Sequence, residues 1–357
     1  MSRPMHAFIV NPGFEPALAA ELACLPHHPD NHPGVVICHD DGTKGKHRRD
    51  PIFARQVLPD ATEICAVSAQ RLAEAAYVAI ASCLDESAVP SFSLHAFAWP
   101  PEPSLGSRIA LVGQQLLALL KERRRHIFRG YRPGLPASAG EAGQDKLDPH
   151  GLLIQLLALD RERVVASAAY PRALPCGGTD LAPWPAGSAP IVADDHTPPS
   201  RAYQKLEEAF RWLNTAPTRG QSCVDLGGAP GGWAWTALKR GARVTAVDRA
   251  PLVRPAAGHA NLTAVIGNAF NFQPSHPVDW LLCDVICEPA RTLALIDRWL
   301  DQGWCHRMVV SVKFKGRDGY GILDGVTPMF NRAGWRFVRV KQLVHNKNEV
   351  TVLARRR

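Results

Sequence analysis

Asp225-Leu226-Gly227-Gly228-Ala229-Pro230-Gly231-Gly232-Trp233 follows the apolar run Ser222-Cys223-Val224 and opens a helix-forming stretch over 232–239. Strand, glycine-rich turn and helix in that order put free backbone N–H groups beside backbone that a ligand can approach closely. The dinucleotide fingerprint G-x-G-x-x-G fails here, because Ala229 stands where its second glycine would fall. Asp248 ends the next strand-like run about twenty residues on, where a carboxylate can accept from both hydroxyls of a ribose. A nucleoside cofactor is therefore expected at this turn, and a dehydrogenase is disfavoured. Capping of the segment that starts at Pro251 is the plainer role open to Asp248.

Working outward, strand-like runs at 222–224, 244–247, 262–266, 280–283 and 308–312 alternate with helical runs at 232–239, 289–300 and 325–333. That alternation predicts a parallel, doubly wound α/β sheet. The chain ends differently: runs at 336–340 and 350–354 flank a short turn near Asn346-Lys347-Asn348, so they must pair antiparallel. A parallel sheet closed by an antiparallel hairpin is the pattern of a Rossmann-like class I methyltransferase domain, whose cofactor is S-adenosyl-L-methionine. Upstream, residues 171–199 carry seven prolines with Gly177-Gly178, which reads as a linker. Before it, residues 1–170 mix strands at 8–10, 35–37 and 91–97 with helices at 17–24 and 109–125 and a hairpin at 152–157 and 164–169. That is α+β in character. The domains are thus expected at 1–170 and 200–357.

Composition narrows the class. Hydrophobic residues make up 46% and charged residues 21%, as in soluble globular proteins. The longest apolar stretches, such as 75–84, are too short for a bilayer, and the N-terminus lacks a signal-peptide pattern. Nine cysteines without a CxxC pair predict reduced thiols and a cytoplasmic location. Cys24, His27, His28, His32, Cys38 and His39 lie close together, but their spacing fits no standard zinc site, so no metal is expected. Residues 201–357 hold 23 Lys+Arg against 12 Asp+Glu, whereas 1–200 hold 18 against 21. The basic half suits a polyanionic partner. Two smaller basic clusters lie at Lys44-Lys46-Arg48-Arg49 and at 121–132, the second interleaved with Phe128 and Tyr131, which could stack on bases.

The form D-L-G-x-x-P-G-G-W resembles the cofactor loop of FtsJ-type ribose 2′-O-methyltransferases. The resemblance implies that Ser200, Asp225, Gly227, Ala229, Pro230, Gly231, Gly232, Trp233, Asp248 and Asp284 belong to the cofactor site. Asn268 stands where relatives place an aspartate near the adenine, and its carbonyl can accept from the adenine amino group. Four residues fall where the family's Lys-Asp-Lys-Glu tetrad is expected: Lys205, Asp284, Lys313 and Glu349. Taken singly each could be a surface or capping residue. A ribose hydroxyl needs a base within hydrogen-bond reach, and lysine serves only if its pKa falls. Lys313 is expected to take the proton, with Lys205 beside it and the two carboxylates holding the group in line.

The stretch 200–210, the Asp284-x-x-x-Glu288-Pro289 step and Asn348-Glu349-Val350-Thr351-Val352 resemble the ribosomal RNA large subunit methyltransferase M family. Pro12-Gly13-Phe14-Glu15 and Phe53-Ala54-Arg55-Gln56 resemble it more weakly. Membership would imply a THUMP-containing RNA-binding N-terminal region, 23S ribosomal RNA as partner and a cytidine as target. A monomer is favoured. A non-catalytic RNA-binding or ribosome-assembly protein on the same fold is the alternative, against which the intact tetrad weighs.

Overall fold

Alternation of β-branched and apolar runs with amphipathic stretches produces two separate sheets, seen in a computed structural model that describes residues 5–23, 32–39, 50–85, 89–133, 147–174, 178–191 and 195–356. Described residues up to Ser188 form one compact unit and those from Ala189 onward form another.

In the first unit, β1 (Met5–Val10), β2 (Val35–His39), β3 (Ala54–Cys65), β4 (Phe92–Ala98), β5 (Leu152–Ala158) and β6 (Arg163–Ala169) make one sheet in the order β2-β1-β3-β6-β5-β4. Its pairs are antiparallel apart from β4 with β5. Helix α1 (Glu15–Leu22) follows β1, and α2 (Ala69–Asp85), α3 (Pro103–Arg123) and the short α4 (Arg125–Phe128) follow later. Leu72, Ala76 and Ile80 of α2 and Ile109, Val112 and Leu116 of α3 recur at helical spacing and bury one face of the sheet against Ile154, Leu156 and Val164. The expected helices at 17–24 and 109–125 are shifted in their bounds, and β3 had no counterpart in the sequence reading.

The opposite face revises the linker. Ala186 packs with Ile9, Leu58, Phe97, Leu157 and Val165, and Leu181, Ala182 and Trp184 are buried. Gln56, buried on β3, accepts from Ala182 N at 2.9 Å and donates to Ala182 O at 3.1 Å, so a side chain replaces a strand partner. Arg55 stacks 4.1 Å over the Trp99 ring and donates to Ser188 Oγ at 2.7 Å. Prolines prevent this stretch from joining the ladder, yet its apolar residues still find a core. Residues 178–188 are a flap of the first unit rather than a spacer.

The second unit contains α5 (Tyr203–Leu213), β7 (Ser222–Leu226), α6 (Gly232–Leu238), β8 (Arg243–Asp248), β9 (Leu262–Ile266), β10 (Val278–Cys283), α7 (Pro289–Asp301), β11 (Cys305–Lys313), α8 (Val326–Arg332), β12 (Phe337–Lys341) and β13 (Glu349–Arg355). Its sheet runs β12-β13-β11-β10-β7-β8-β9. From β11 to β9 the strands are parallel, whereas β13 is antiparallel to both β11 and β12. Trp280, Leu281, Leu282 and Cys283 are covered on both faces, as central parallel strands require. The chain leaves β7 towards β9, then returns to β10 on the other side of β7. This reversal opens a crevice at the carboxyl ends of β7 and β10, where α/β sheets bind ligands.

Among the described residues no helix is long and apolar enough to cross a membrane. Six described cysteines are free, but Cys38 on β2 is disulfide-bonded, against the expectation of reduced thiols throughout. Cys24, His27, His28 and the Lys44–Arg49 cluster lie outside the described residues.

If 178–188 is core, Trp184→Ala should destabilise the first unit by about 3–5 kcal/mol in urea unfolding, as for other buried aromatics. A loss under about 1 kcal/mol would return the segment to the role of linker.

Candidate active site

The parallel register sets the floor of the crevice. Cys283 pairs with Leu226, so the residues that follow, Asp284 and Gly227, emerge side by side, with Asp284 N donating to Leu226 O at 3.1 Å. Gly227 has a φ of 78°, and a Cβ there would stand 2.8 Å from Val285 Cγ2. Only glycine permits both the turn and this approach of two loops. A Cβ on Gly232 would run into Ser200 Oγ, so the first turn of α6 rests directly on Ser200.

Beyond Gly227 lies a cavity of about 330 Å³ whose lining includes Gly227, Ala229, Asp248, Asn268, Phe270 and Asp284. Asp248 Oδ2 accepts from Ala229 N at 3.1 Å and Oδ1 from Ala250 N at 3.0 Å. Each oxygen keeps a lone pair for a ligand hydroxyl. Asn268 Oδ1, expected to face an adenine amino group, already accepts from Phe270 N at 3.1 Å and caps the turn 269–271. It therefore offers a ligand only its second lone pair. Sequence reasoning missed Arg249, Phe270, Ile286 and Arg291, which also line the cavity. The Arg291 guanidinium lies 3.9 Å over the Phe270 ring, a pairing across separate loops that no local pattern announces.

Other expected cofactor residues stand outside this lining. Ser200, Asp225, Pro230, Gly231, Gly232 and Trp233 do not line the cavity. Trp233 is buried and donates from Nε1 to Ala202 O at 2.8 Å, so it bolts α6 to the start of α5. Asp225 is fully buried, and no described side chain pairs with its carboxyl oxygens. Burial, with the charges of Asp284 and Asp248, pushes its pKa up to about 8, and the Ala234 N–H offsets this only in part. Asp225 is therefore protonated near neutral pH, with an O–H and lone pairs to offer a polar ligand group.

At the outer edge of the crevice the four tetrad positions meet. Lys205 projects from α5, Asp284 follows β10, Lys313 ends β11 and Glu349 opens β13. The antiparallel register sets Lys313 opposite Glu349. Lys205 Nζ lies 3.0 and 2.9 Å from the two oxygens of Asp284 and 3.0 Å from Glu349 Oε1. Lys313 Nζ lies 2.7 Å from Asp284 Oδ1 and 3.1 Å from Glu349 Oε2. The result is a closed ring of alternating charge, with Lys205 and Glu349 buried at 8% and 7% exposure.

Burial works to raise the Asp284 pKa, but the two lysines outweigh it and hold the carboxyl below the usual carboxylate range. For Lys313, burial favours the neutral amine, yet Asp284 and Glu349 together raise its pKa above the ordinary lysine value. In the ligand-free protein Lys313 is thus a cation.

Neighbouring polar groups fasten the ring. Glu208, one turn beyond Lys205 and 1% exposed, accepts from Val344 N at 2.9 Å and His345 N at 3.3 Å. Asn346 Nδ2 donates to Glu349 O at 3.2 Å. Asn348 Nδ2 donates to Phe314 O and Gly316 O at 2.9 and 2.7 Å, and its Oδ1 accepts from Tyr320 Oη at 2.8 Å. No metal-binding group of three or more His, Cys, Asp or Glu side chains occurs among the described residues.

Comparison with known proteins agrees with this geometry. Residues 198–303 match the FtsJ-like methyltransferase family. The ribosomal RNA large subunit methyltransferase M of Alkalilimnicola ehrlichii is 32% identical, over 96% of this chain and 92% of that protein. The chain belongs to the ribosomal RNA large subunit methyltransferase M family. This methyltransferase is also 38% identical to the Azotobacter vinelandii member over 48% of its length and 51% of that protein's. A solved N1-methyltransferase from Burkholderia thailandensis is 18% identical, over 39% of this chain and 72% of that one, with a TM-score of 0.30.

The Asp225 carboxyl makes a testable link between site and stability. Its pKa is about 8 when folded against 3.8 when free, so its contribution is fully present below 3.8 and is lost as pH rises towards 8. The ligand-free methyltransferase should therefore lose thermal stability between pH 4 and 8, and Asp225→Asn should flatten that slope. An unchanged slope in the variant would place the buried proton elsewhere.

Proposed function

We propose that the chain transfers a methyl group from S-adenosyl-L-methionine to a ribose 2′-hydroxyl of ribosomal RNA, with a cytidine of 23S RNA as target. It would act in the cytoplasm as a monomer, with the first unit serving as a THUMP-like RNA-binding region. The observation that carries this reading is the ring of two lysines and two carboxylates at the mouth of a nucleoside-sized cavity.

The donor set suits the cofactor. Asp248 has lone pairs for ribose hydroxyls, Asn268 and Phe270 offer polar and aromatic contact to an adenine, and the Asp225 carboxyl has no side-chain partner among the described residues. When bound, the sulfonium supplies an activated methyl group and one positive charge. The chain's own residues do the rest. At rest the ring is neutral, two cations against two anions. Lys313 sheds its proton when a further positive charge enters the cavity lined by Asp284, because the surplus is relieved by losing one proton. Its amine then accepts the O2′ proton as the new C–O bond forms and the S–C bond breaks. Lys205 lies between Asp284 and Glu349 and fixes both. Catalysis is then mostly alignment by side chains that are themselves largely buried.

A raised Lys313 pKa in the free enzyme has a kinetic consequence. Since kcat/KM reports the free enzyme, it should climb with pH by about tenfold per unit through the neutral and mildly alkaline range. A plateau below neutrality would exclude Lys313 as the base. Lys313→Ala should bind cofactor normally and lose about a hundredfold or more in rate, the usual worth of a general base. The direct test incubates the protein with labelled cofactor and unmodified ribosomal RNA, then maps 2′-O-methyl positions. Label found only on bases or on protein would overturn the reading.

A further inference from the structure

A second cavity, of about 300 Å³, lies wholly within the first unit, at the lower end of the sizes seen for small-ligand sites. Ser91, just before β4, alternates with Ser93 and His95 at its start, so the three share one face, which forms a wall of this cavity. Arg132, Asp148 and Pro183 contribute from three other segments. Asp148 is preset: its Oδ2 accepts from Ser91 Oγ at 2.5 Å and its Oδ1 from His150 N at 2.9 Å. Both oxygens are held in place, and each keeps a lone pair for a ligand.

His95 is 2% exposed, and burial pushes its pKa down to about 4 although the Pro183 carbonyl supports the charged form. The ring is therefore neutral. A neutral imidazole has one N–H and one bare nitrogen, and Nδ1 has no partner among the described residues, which leaves it open to a ligand. Among the described lining side chains, the polar groups other than the hydroxyls and Arg132 are acceptors, set among Leu147, Leu152 and Leu153. The wall suits a flat polar molecule with adjacent N–H donors, as on the edge of guanine, where two neighbouring donors match the two oxygens of a carboxylate.

The basic cluster at 121–132 leads to this cavity. Lys121, Arg123, Arg125, Arg129 and Arg132 are all exposed, from the end of α3 through α4 to the rim. The interleaved aromatics do not serve as the sequence suggested. Phe128 and Tyr131 stack on each other with ring centres 5.8 Å apart, and Tyr131 lies 5.1 Å from Phe92, against the core. The strip thus offers charge for phosphates but no aromatic platform, which leaves recognition of a base to the cavity.

We propose that this cavity binds one unpaired RNA nucleotide, with Asp148 reading a guanine edge against Ser91, Ser93 and His95 while adjoining phosphates lie along the Lys121–Arg132 strip. The proposal rests on the reading of the chain as an RNA-directed enzyme and is tested without methyl transfer. Calorimetric titration of the full-length protein with GMP, AMP, CMP, UMP and inorganic phosphate should show GMP binding about tenfold or more tighter than UMP, a difference of ~1.4 kcal/mol. Phosphate alone should be weaker than any nucleotide. Asp148→Asn, a substitution of an exposed residue, should erase the preference for GMP while leaving the fold intact. Arg132→Ala should weaken all four nucleotides alike. Equal binding of phosphate and GMP, or an unchanged preference in Asp148→Asn, would reduce the site to a basic patch and overturn the proposal. Guanine selectivity without RNA methylation would sink the proposed function and leave the cavity standing. Methylation without selectivity would do the reverse.

Discussion

Four ionisable side chains withdrawn from water would be costly if any one stood alone, and the second unit is arranged so that none does. Each lysine nitrogen of the ring contacts both carboxylates, and each carboxylate contacts both lysines. Buried pairs of this kind contribute little net stability, whereas removing one member leaves an uncompensated charge at about 3–5 kcal/mol. The ring is therefore an all-or-none feature. Its closure depends on strand direction. Because β13 runs against β11, its first residue, Glu349, lies beside the last residue of β11, Lys313. A parallel β13 would have brought Arg355 to that edge, a third positive centre in place of the second carboxylate. The antiparallel finish of the sheet is thus what allows the fourth member of the ring to exist.

The same crevice keeps two aspartates in opposite states. Asp284 is ionised because two ammonium groups reach it, and Asp225, a few residues from the same strand edge, is protonated because burial acts on it with no cation in reach. Separation of neighbouring carboxyls in this way assigns them different work. One belongs to the charged ring and the other to the buried end of β7. Glu208 adds a third arrangement, a buried carboxylate spent on two backbone N–H groups, which ties the helix carrying Lys205 to the loop that leads into Glu349.

The second sheet was legible because most of its strands are apolar runs and its longer helices, α5 and α7, bury residues at helical spacing. In the first unit the logic is tertiary. Strand β3 contains Arg55, Gln56, Asp60 and Glu63, with Pro59 inside it, so neither alternation nor composition marks it. Its buried polar residues are satisfied by Trp99, Ala182 and Ser188, which are distant in sequence. The proline-rich stretch misled for the matching reason: proline breaks ladders, but it does not prevent Leu181, Trp184 and Ala186 from filling a core. At the site the tetrad positions could be named from motifs, and the structure brings them together. The protonation state of Lys313 could not be read, since it depends on two carboxylates placed by strand register. Trp233 shows the converse, a motif residue whose place is explained by packing on Ala202.

A protonated Lys313 also resolves a difficulty in the proposed reaction. A free amine next to an activated methyl group would itself be a better nucleophile than a ribose hydroxyl. While the ring holds its proton, Lys313 has no lone pair to offer and can only donate. In the reaction proposed, it becomes a base only when an added positive charge unbalances the ring, and at that moment its nitrogen is still fastened to Asp284 and Glu349. The carboxylates that raise its pKa therefore also restrict where its lone pair can point. Raising the basicity of an amine and limiting its self-methylation are served by the same two contacts, which gives a physical reason for pairing lysines with carboxylates here rather than using a single isolated base.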